Sequence, residues 1–198
     1  MTLQEILESD KIELLPQQLA QLKRFTEILQ EWNKIHNLTG AKTTTEIEKN
    51  IEDALFPTTF INKPTSILDV GTGAGFPGMI LAIAYADVHT VLCEPRKKRA
   101  SFLKYVAMEL ALDNVEVVKK RVEDYGSEPF GLISSRAVTD TKMLLNLTEH
   151  LQNSDTEFLF YKGEQLFSEL ESVEAQLDYD IIEKNKRNYL YIKGLKCS

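Results

Sequence analysis

The segment Ile67-Leu68-Asp69-Val70-Gly71-Thr72-Gly73-Ala74-Gly75-Phe76-Pro77-Gly78 carries a short, mostly apolar run straight into four glycines within eight positions. The run predicts a buried strand, the glycines a tight turn, and Pro77 the opening of a helix. Glycine lets the backbone approach a ligand closely, and a helix N-terminus presents unpaired N–H groups. The turn is therefore predicted to hold a ligand; the alternative is that its glycines serve only the chain reversal.

Downstream of this turn, apolar runs at 88–93, 115–118, 131–135 and 157–161 alternate with amphipathic stretches at 77–86, 96–112 and 164–176. Parallel neighbours need long crossover connections, so this alternation predicts an α/β fold with a mostly parallel sheet. Residues 179–183 and 189–193 flank Lys184-Asn185-Lys186 and predict a closing antiparallel hairpin. Upstream, Leu15, Leu19, Leu22, Phe25, Ile28, Leu29, Trp32 and Ile35 recur at steps of three and four behind Pro16, which predicts a long helix ending at Asn37-Leu38-Thr39-Gly40. Thr43 with Glu46 forms a capping-box pattern for a second helix bearing Ile47, Ile51 and Leu55, with Ile61 beyond. The expected division is a helical region over 1–62 and an α/β domain over 63–198.

A chain of 198 residues with 43% hydrophobic composition has enough apolar material for one core, and its mixed composition without repeats excludes disordered, collagen-like and solenoid classes. No apolar run approaches the length of about 18 needed to span a bilayer, and the acidic start through Glu5 lacks an export signature, so a cytoplasmic protein without a membrane partner is expected. Two cysteines, Cys93 and Cys197, and three scattered histidines, His36, His89 and His150, predict neither a disulfide framework nor a metal site. The net charge of −7 argues against a general nucleic-acid coat protein and is silent on a local basic patch.

Two ligand classes fit the turn. Gly73 to Gly78 matches the dinucleotide pattern G-x-G-x-x-G, and Glu94, at the end of the next predicted strand, supplies the acidic residue expected on a ribose. That carboxylate suits NAD and S-adenosylmethionine equally. Asp69, two positions before the first glycine, would repel a pyrophosphate and favour a cationic sulfonium with its α-amino group; its alternative role is to cap the turn. Only 120 residues follow Gly78, enough to complete one sheet but no separate substrate domain. A methyl donor is favoured over a hydride carrier.

The segments Asn37-Leu38-Thr39, Asp69 to Gly78, Lys98-Arg99-Ala100-Ser101-Phe102-Leu103, Arg121-Val122-Glu123, Ser134-Ser135-Arg136-Ala137 and Tyr161-Lys162-Gly163 resemble the bacterial small-subunit rRNA guanine-N7 methyltransferases, the RsmG or GidB family, over about residues 32–193. The resemblance implies a class I, Rossmann-like methyltransferase sheet, S-adenosylmethionine as donor, no metal, and methylation of one guanosine in the decoding region of 16S rRNA within the small subunit, by a monomer. It also implies donor contacts at Gly71, Gly73, Phe76, Glu94, Val122, Glu123 and Arg136, joining Asp69. By the same resemblance Lys98, Arg99, Arg121, Lys162 and Arg187 serve RNA binding or, for Lys162, catalysis; Arg136, just past the fourth predicted strand at the carboxyl edge, is expected to serve catalysis by orienting donor and base, its alternative being a surface salt bridge. The chain departs from the family where it has Lys49-Asn50-Ile51 in place of a His before the Ile, and Asp53-Ala54 in place of Asp-Ser.

Guanine N7 carries no proton, so methyl transfer to it needs in-line placement and no general base. The chain has no Asn-Pro-Pro-Tyr or Asp-Pro-Pro-Tyr motif and no Pro-Cys nucleophile, which points towards ring-nitrogen or oxygen acceptors. Basic residues cluster at Arg96-Lys97-Lys98-Arg99, at Lys119-Lys120-Arg121 and around the terminal hairpin, where they are expected to share one rim. Phe25, Trp32, Tyr189 and Tyr191 are candidates for stacking on bases, with core packing favoured for Phe25 and Trp32. Other readings of the chain are a methyltransferase for another RNA or a small molecule, a cofactor-sensing ribosome-assembly protein without turnover, and a dehydrogenase.

Overall fold

The computed structural model describes residues 3–126, 128–136, 138–171, 173 and 177–195. Ala137, Cys197 and the last residues of the helix expected over 164–176 lie outside the described residues. Helix α1 spans Leu3–Ser9, α2 Pro16–His36 and α3 Thr44–Leu55. Strand β1 is Ser66–Val70, followed by α4 (Gly78–Ala84), β2 (His89–Cys93), α5 (Lys97–Glu109) and β3 (Val115–Val118). Then come β4 (Leu132–Arg136), α6 (Thr141–Leu147), β5 (Glu157–Lys162), α7 (Leu166–Leu170), β6 (Leu177–Lys184) and β7 (Arg187–Leu195).

The seven strands form one sheet in the order β3-β2-β1-β4-β5-β7-β6. The first five run parallel, and β7 is antiparallel to both β5 and β6. The expected α/β sheet with its closing hairpin is thus present. Opposite Lys162 of β5 stands Asn188 of β7, which brings the β6–β7 turn to the carboxyl edge of the parallel strands. Strand order reverses beside β1, and open α/β sheets bind ligands at that edge.

The capping box forms as expected: Glu46 N–H donates to Thr43 Oγ1 at 3.2 Å, and Thr43 N–H to Glu46 Oε2 at 3.0 Å. Pro16 opens α2. Gln18 accepts from Leu15 N–H at 2.8 Å and donates to the Ile83 and Ala84 carbonyls, tying the start of α2 to the end of α4. Residues of α2 and α3 share one core with α4 and α5, centred on Phe25, Leu29, Ile51, Phe76 and Phe102. Leu68, Val91, Ile133, Phe158 and Leu190 build a second core with Leu144 of α6 and Leu166 of α7.

Several expectations are corrected. Leu15 and Ile35, counted in the apolar stripe of α2, are exposed because the stripe outruns the packing surface at both ends. Tyr189 and Tyr191 are buried against Phe60, which leaves no ring face for a base. Arg136, expected just past the fourth strand, is its last residue and pairs with Tyr161. Helix α6 went unforeseen; at seven residues it is too short to show a period, and Asp140 Oδ1 caps it by accepting from Met143 N–H at 2.9 Å. Phe25 and Trp32 pack inward as favoured, each ring against Phe102.

Candidate active site

The glycine turn stands at the carboxyl end of β1. Gly71, Gly73 and Gly75 take φ of 68°, 62° and 98°, values that side-chain-bearing residues adopt only under strain. A Cβ on Gly71 would lie 2.6 Å from Val138 Cγ2, so Val138 closes over the turn. Gly78 is needed for a different reason: a Cβ there would meet Asp69 and Leu92, each at 2.5 Å.

Asp69 is fully buried beneath the turn. Its Oδ2 accepts from Gly78 N–H at 2.8 Å and its Oδ1 from Ser134 Oγ at 2.8 Å. The side chain therefore takes the turn-capping position. Burial pushes its pKa up to about 6, against the pull of the neighbouring Thr72 and Ser134 hydroxyls, the Gly78 amide and Arg136. Parallel pairing sets Val70 beside Cys93, so Glu94 emerges next to the turn. Its Oε2 accepts from Gly73 N–H at 3.0 Å and its Oε1 from Arg96 N–H at 2.9 Å, and it is 3% exposed. Arg99 Nη1 lies 4.0 Å from Glu94 Oε2, while Arg99 Nη2 donates to the Leu38 carbonyl.

Two amides that a dinucleotide turn would aim at a pyrophosphate, those of Gly73 and Gly78, are thus taken by the protein's own carboxylates. An anion arriving there would meet negative charge rather than free N–H groups. Past β3, a 3-10 turn over Val122–Asp124 borders the same edge, with Val122 buried and Glu123 exposed. Carboxylates, main-chain groups and a rigid turn form a donor set that suits a cationic nucleoside, so these residues fit S-adenosylmethionine.

Across β1, the opposite half of the edge is built from cations. Arg136 Nη1 donates to Asn50 Oδ1 at 3.0 Å and to Asp53 Oδ2 at 3.2 Å, and its guanidinium lies 4.8 Å from the centroid of the Phe76 ring. Burial lowers the Arg136 pKa against the pull of Asp53. The Phe76 side chain is itself buried, edge-on to Phe25 at 5.5 Å, so only its backbone belongs to the turn's open side. Lys162 is buried and donates to Glu169 Oε2 and to the Thr139 carbonyl, each at 2.8 Å. Arg187 holds Asp53 through Nε at 2.9 Å and Nη2 at 3.1 Å.

Lys98, in the first turn of α5, and Arg121, past β3, are exposed, and Lys162 and Arg187 meet in a cleft of about 860 Å³ that Val138, Asp140 and Gln165 also line. A groove of about 780 Å³ between α3 and the β6–β7 turn shares Lys186 and Arg187 with it. Of the basic residues expected on one rim, those after β2 and β3 and those at the β6–β7 turn lie on the carboxyl edge, whereas Lys193, near Ile192 opposite Phe158, lies towards the amino end of β5 and pairs with Asp180. Cys93 is buried with its thiol against the Lys120 carbonyl, and burial pushes its pKa up to about 12, which suits packing and not nucleophilic work.

Sequence reasoning missed Asn50, Asp53 and Glu169. Asn50 and Asp53 entered it only where the chain departs from the family, as Lys49-Asn50-Ile51 and as the Asp53 that precedes Ala54; nothing within its own helix marks Asp53 as the partner of two arginines.

The model of the family described as rRNA small subunit methyltransferase G matches residues 18–193. The ribosomal RNA small subunit methyltransferase G of Aliarcobacter butzleri is 47% identical over 193 residues, covering 98% of this chain and 99% of the relative. This chain belongs to that family. The protein of the same name from Wolinella succinogenes is also 47% identical, over 90% of this chain and 91% of its own. Among solved structures, a ribosomal protein L11 methylase from Lactobacillus delbrueckii subsp. bulgaricus matches with a TM-score of 0.58 at 21% identity, covering 76% of this chain and 80% of that one. MtNAS in complex with S-adenosylmethionine matches with a TM-score of 0.62 at 12% identity, over 92% and 72%. These two share the fold, and membership of the methyltransferase G family makes the chain a methyltransferase.

Proposed function

We propose that the protein transfers a methyl group from S-adenosylmethionine to N7 of one guanosine in the decoding region of 16S rRNA, acting as a monomer on small ribosomal subunits in the cytoplasm. The observation that carries the reading is the division of the carboxyl edge: a turn whose amides are sealed by Asp69 and Glu94 stands beside a cleft holding Lys162 and Arg187. The first half suits a cationic donor, the second a phosphate-bearing acceptor.

When bound, the donor supplies an electrophilic methyl on a sulfonium: the sulfur keeps the electrons of the broken C–S bond, the N7 lone pair forms the new C–N bond, and the positive charge moves to the base. Guanine N7 needs no proton removed, so the residues here orient rather than titrate. In this reading Glu94 receives the ribose hydroxyls, and the Val122-Glu123 turn borders the adenine. Asp69 keeps the turn in shape from below. Arg136, stacked on Phe76 and anchored by α3, stands between the halves, where its planar fork is able to meet guanine O6 or a phosphate. Lys162, Arg187, Lys98, Arg99 and Arg121 face the RNA backbone.

Borohydride and aniline cleave RNA at N7-methylguanosine. Treatment of 16S rRNA from cells with the gene should give one break in the decoding region that is missing from cells without it. An identical cleavage pattern in both would refute the acceptor named here.

A further inference from the structure

We propose that Asp53 is a positioning residue that sets the spacing between the donor half and the RNA half of the site. An ionised carboxylate offers about four lone-pair positions. At Asp53 four donors converge on them: Arg136 Nη1, Arg187 Nε, Arg187 Nη2 and Tyr189 Oη, the last at 3.0 Å. The carboxylate is saturated, and its donors come from two strands separated in the sheet by β5.

The helix that carries Asp53 is fixed from the same side. Tyr161 Oη donates to the Ala54 carbonyl at 2.8 Å, and Tyr189 Oη also reaches the Asp53 carbonyl at 3.3 Å. Asp53 is therefore a fixed point from which two guanidinium groups hang. One lies over Phe76, at the end of the glycine turn; the other lines both the cleft beside Lys162 and the groove along α3. Two arginines on one carboxylate also leave a positive excess, which suits a phosphate joining Arg187 at the cleft mouth. Removing the charge frees both arginines to seek other partners and disturbs the register between methyl and acceptor without touching the turn.

This inference rests on the acceptor reading above, and its test separates the two. The D53N variant replaces one acceptor oxygen by an amide that cannot receive an arginine. Methyl transfer to small subunits would be followed together with calorimetric titration of donor. Expected are a fall of about tenfold or more in kcat, donor affinity within about twofold of wild type, and partial recovery in D53E, because a misplacement of about 1 Å is enough to cost catalysis heavily. A purely structural role would weaken donor binding in step with turnover and gain nothing from D53E.

Should D53N fail to fold, N50A removes the second acceptor of Arg136 together with an exposed bond to the Glu46 carbonyl, and R187K the two-pronged grip on Asp53 together with the bond to the Lys162 carbonyl. Each is then expected to lower kcat with donor affinity kept. Wild-type turnover in these variants overturns the positioning role while leaving the methyl acceptor intact; a wild-type protein that methylates no subunit overturns the acceptor reading instead.

Discussion

Around the glycine turn, polar contacts run from carboxylates to main-chain N–H groups: Asp69 to Gly78, Glu94 to Gly73 and Arg96. Along β4, β5 and β7 the ion pairs run from cationic side chains to carboxylates on helices: Arg136 and Arg187 to Asp53 of the distant α3, Lys162 to Glu169 of α7, the helix that follows β5. Main-chain partners cannot swing away, so the first half is held ready for a small ligand of fixed shape. Side chains on both ends of a pair have torsions that main-chain partners lack, so Lys162 with Glu169 is able to exchange partners while Asp53 stays fixed by its four donors, and the second half faces a polymer that brings its own charges. Rigid recognition and adaptable recognition are thus separated by one strand.

The largest effect that would break this comparison is expected at Glu94. Replacing it with Ala strands two amides and removes the carboxylate proposed to receive the ribose, so donor affinity should fall about 100-fold, on the order of 3 kcal/mol. Calorimetry with S-adenosylmethionine measures it, and an unchanged affinity would mean that the donor does not sit on the β2 side of the turn.

Asp69 tests the same half through pH. Its pKa lies near 6 in the folded chain and near 3.8 when exposed, so the folded state binds the proton more tightly. Stability therefore falls as pH rises through the window from about 4 to about 6, by at most about 3 kcal/mol and nearer 2 after local relaxation. Asp69→Asn keeps an acceptor for Gly78 and a polar partner for Ser134 without the buried charge. Urea unfolding of both proteins should show a stability difference that moves towards the variant between pH 4 and 6.5 and stays level above. A difference independent of pH would place the Asp69 charge in solvent.

Lys162 belongs to the adaptable half. Lys162→Met leaves the turn's carboxylates alone and removes the ammonium between Glu169 and the Thr139 carbonyl. Transfer to subunits should slow at least tenfold with donor affinity within about threefold. Equal losses in both would merge the two halves.

The same contrast explains what was legible in the sequence. Strand, glycines and helix are contiguous, and Glu94 follows Gly73 by 21 residues because one crossover helix returns the chain beside β1. Local pattern therefore reveals the donor half. Asp53 and Arg187 are 134 residues apart, and neither carries a periodic or turn signal. Their meeting depends on α3 docking across a sheet whose order only the full fold defines. The exposed ends of α2 at Leu15 and Ile35 teach a related point: periodicity tells which face is apolar, not how far the neighbouring surface extends. Buried Tyr189 and Tyr191 were similarly ambiguous, since an aromatic at a strand position serves a core and a base equally well.

The smallest effects are expected at Lys98 and Arg121, two of the rim cations exposed on the donor side of the edge. If they track the RNA backbone, each acts as a screened point charge and not as part of a buried network. Lys98→Gln or Arg121→Gln should then raise KM for small subunits only about two- to threefold, leave kcat and donor affinity as they were, and flatten the dependence of log KM on log salt by about 0.7 per lost phosphate contact. The salt slope is the sharper measurement, because a change in local packing shifts KM without altering it. A slope equal to wild type in both variants would confine the RNA to the cleft between β4 and the hairpin, with Lys162 and Arg187 carrying its phosphates and the β2–β3 rim reserved for the donor.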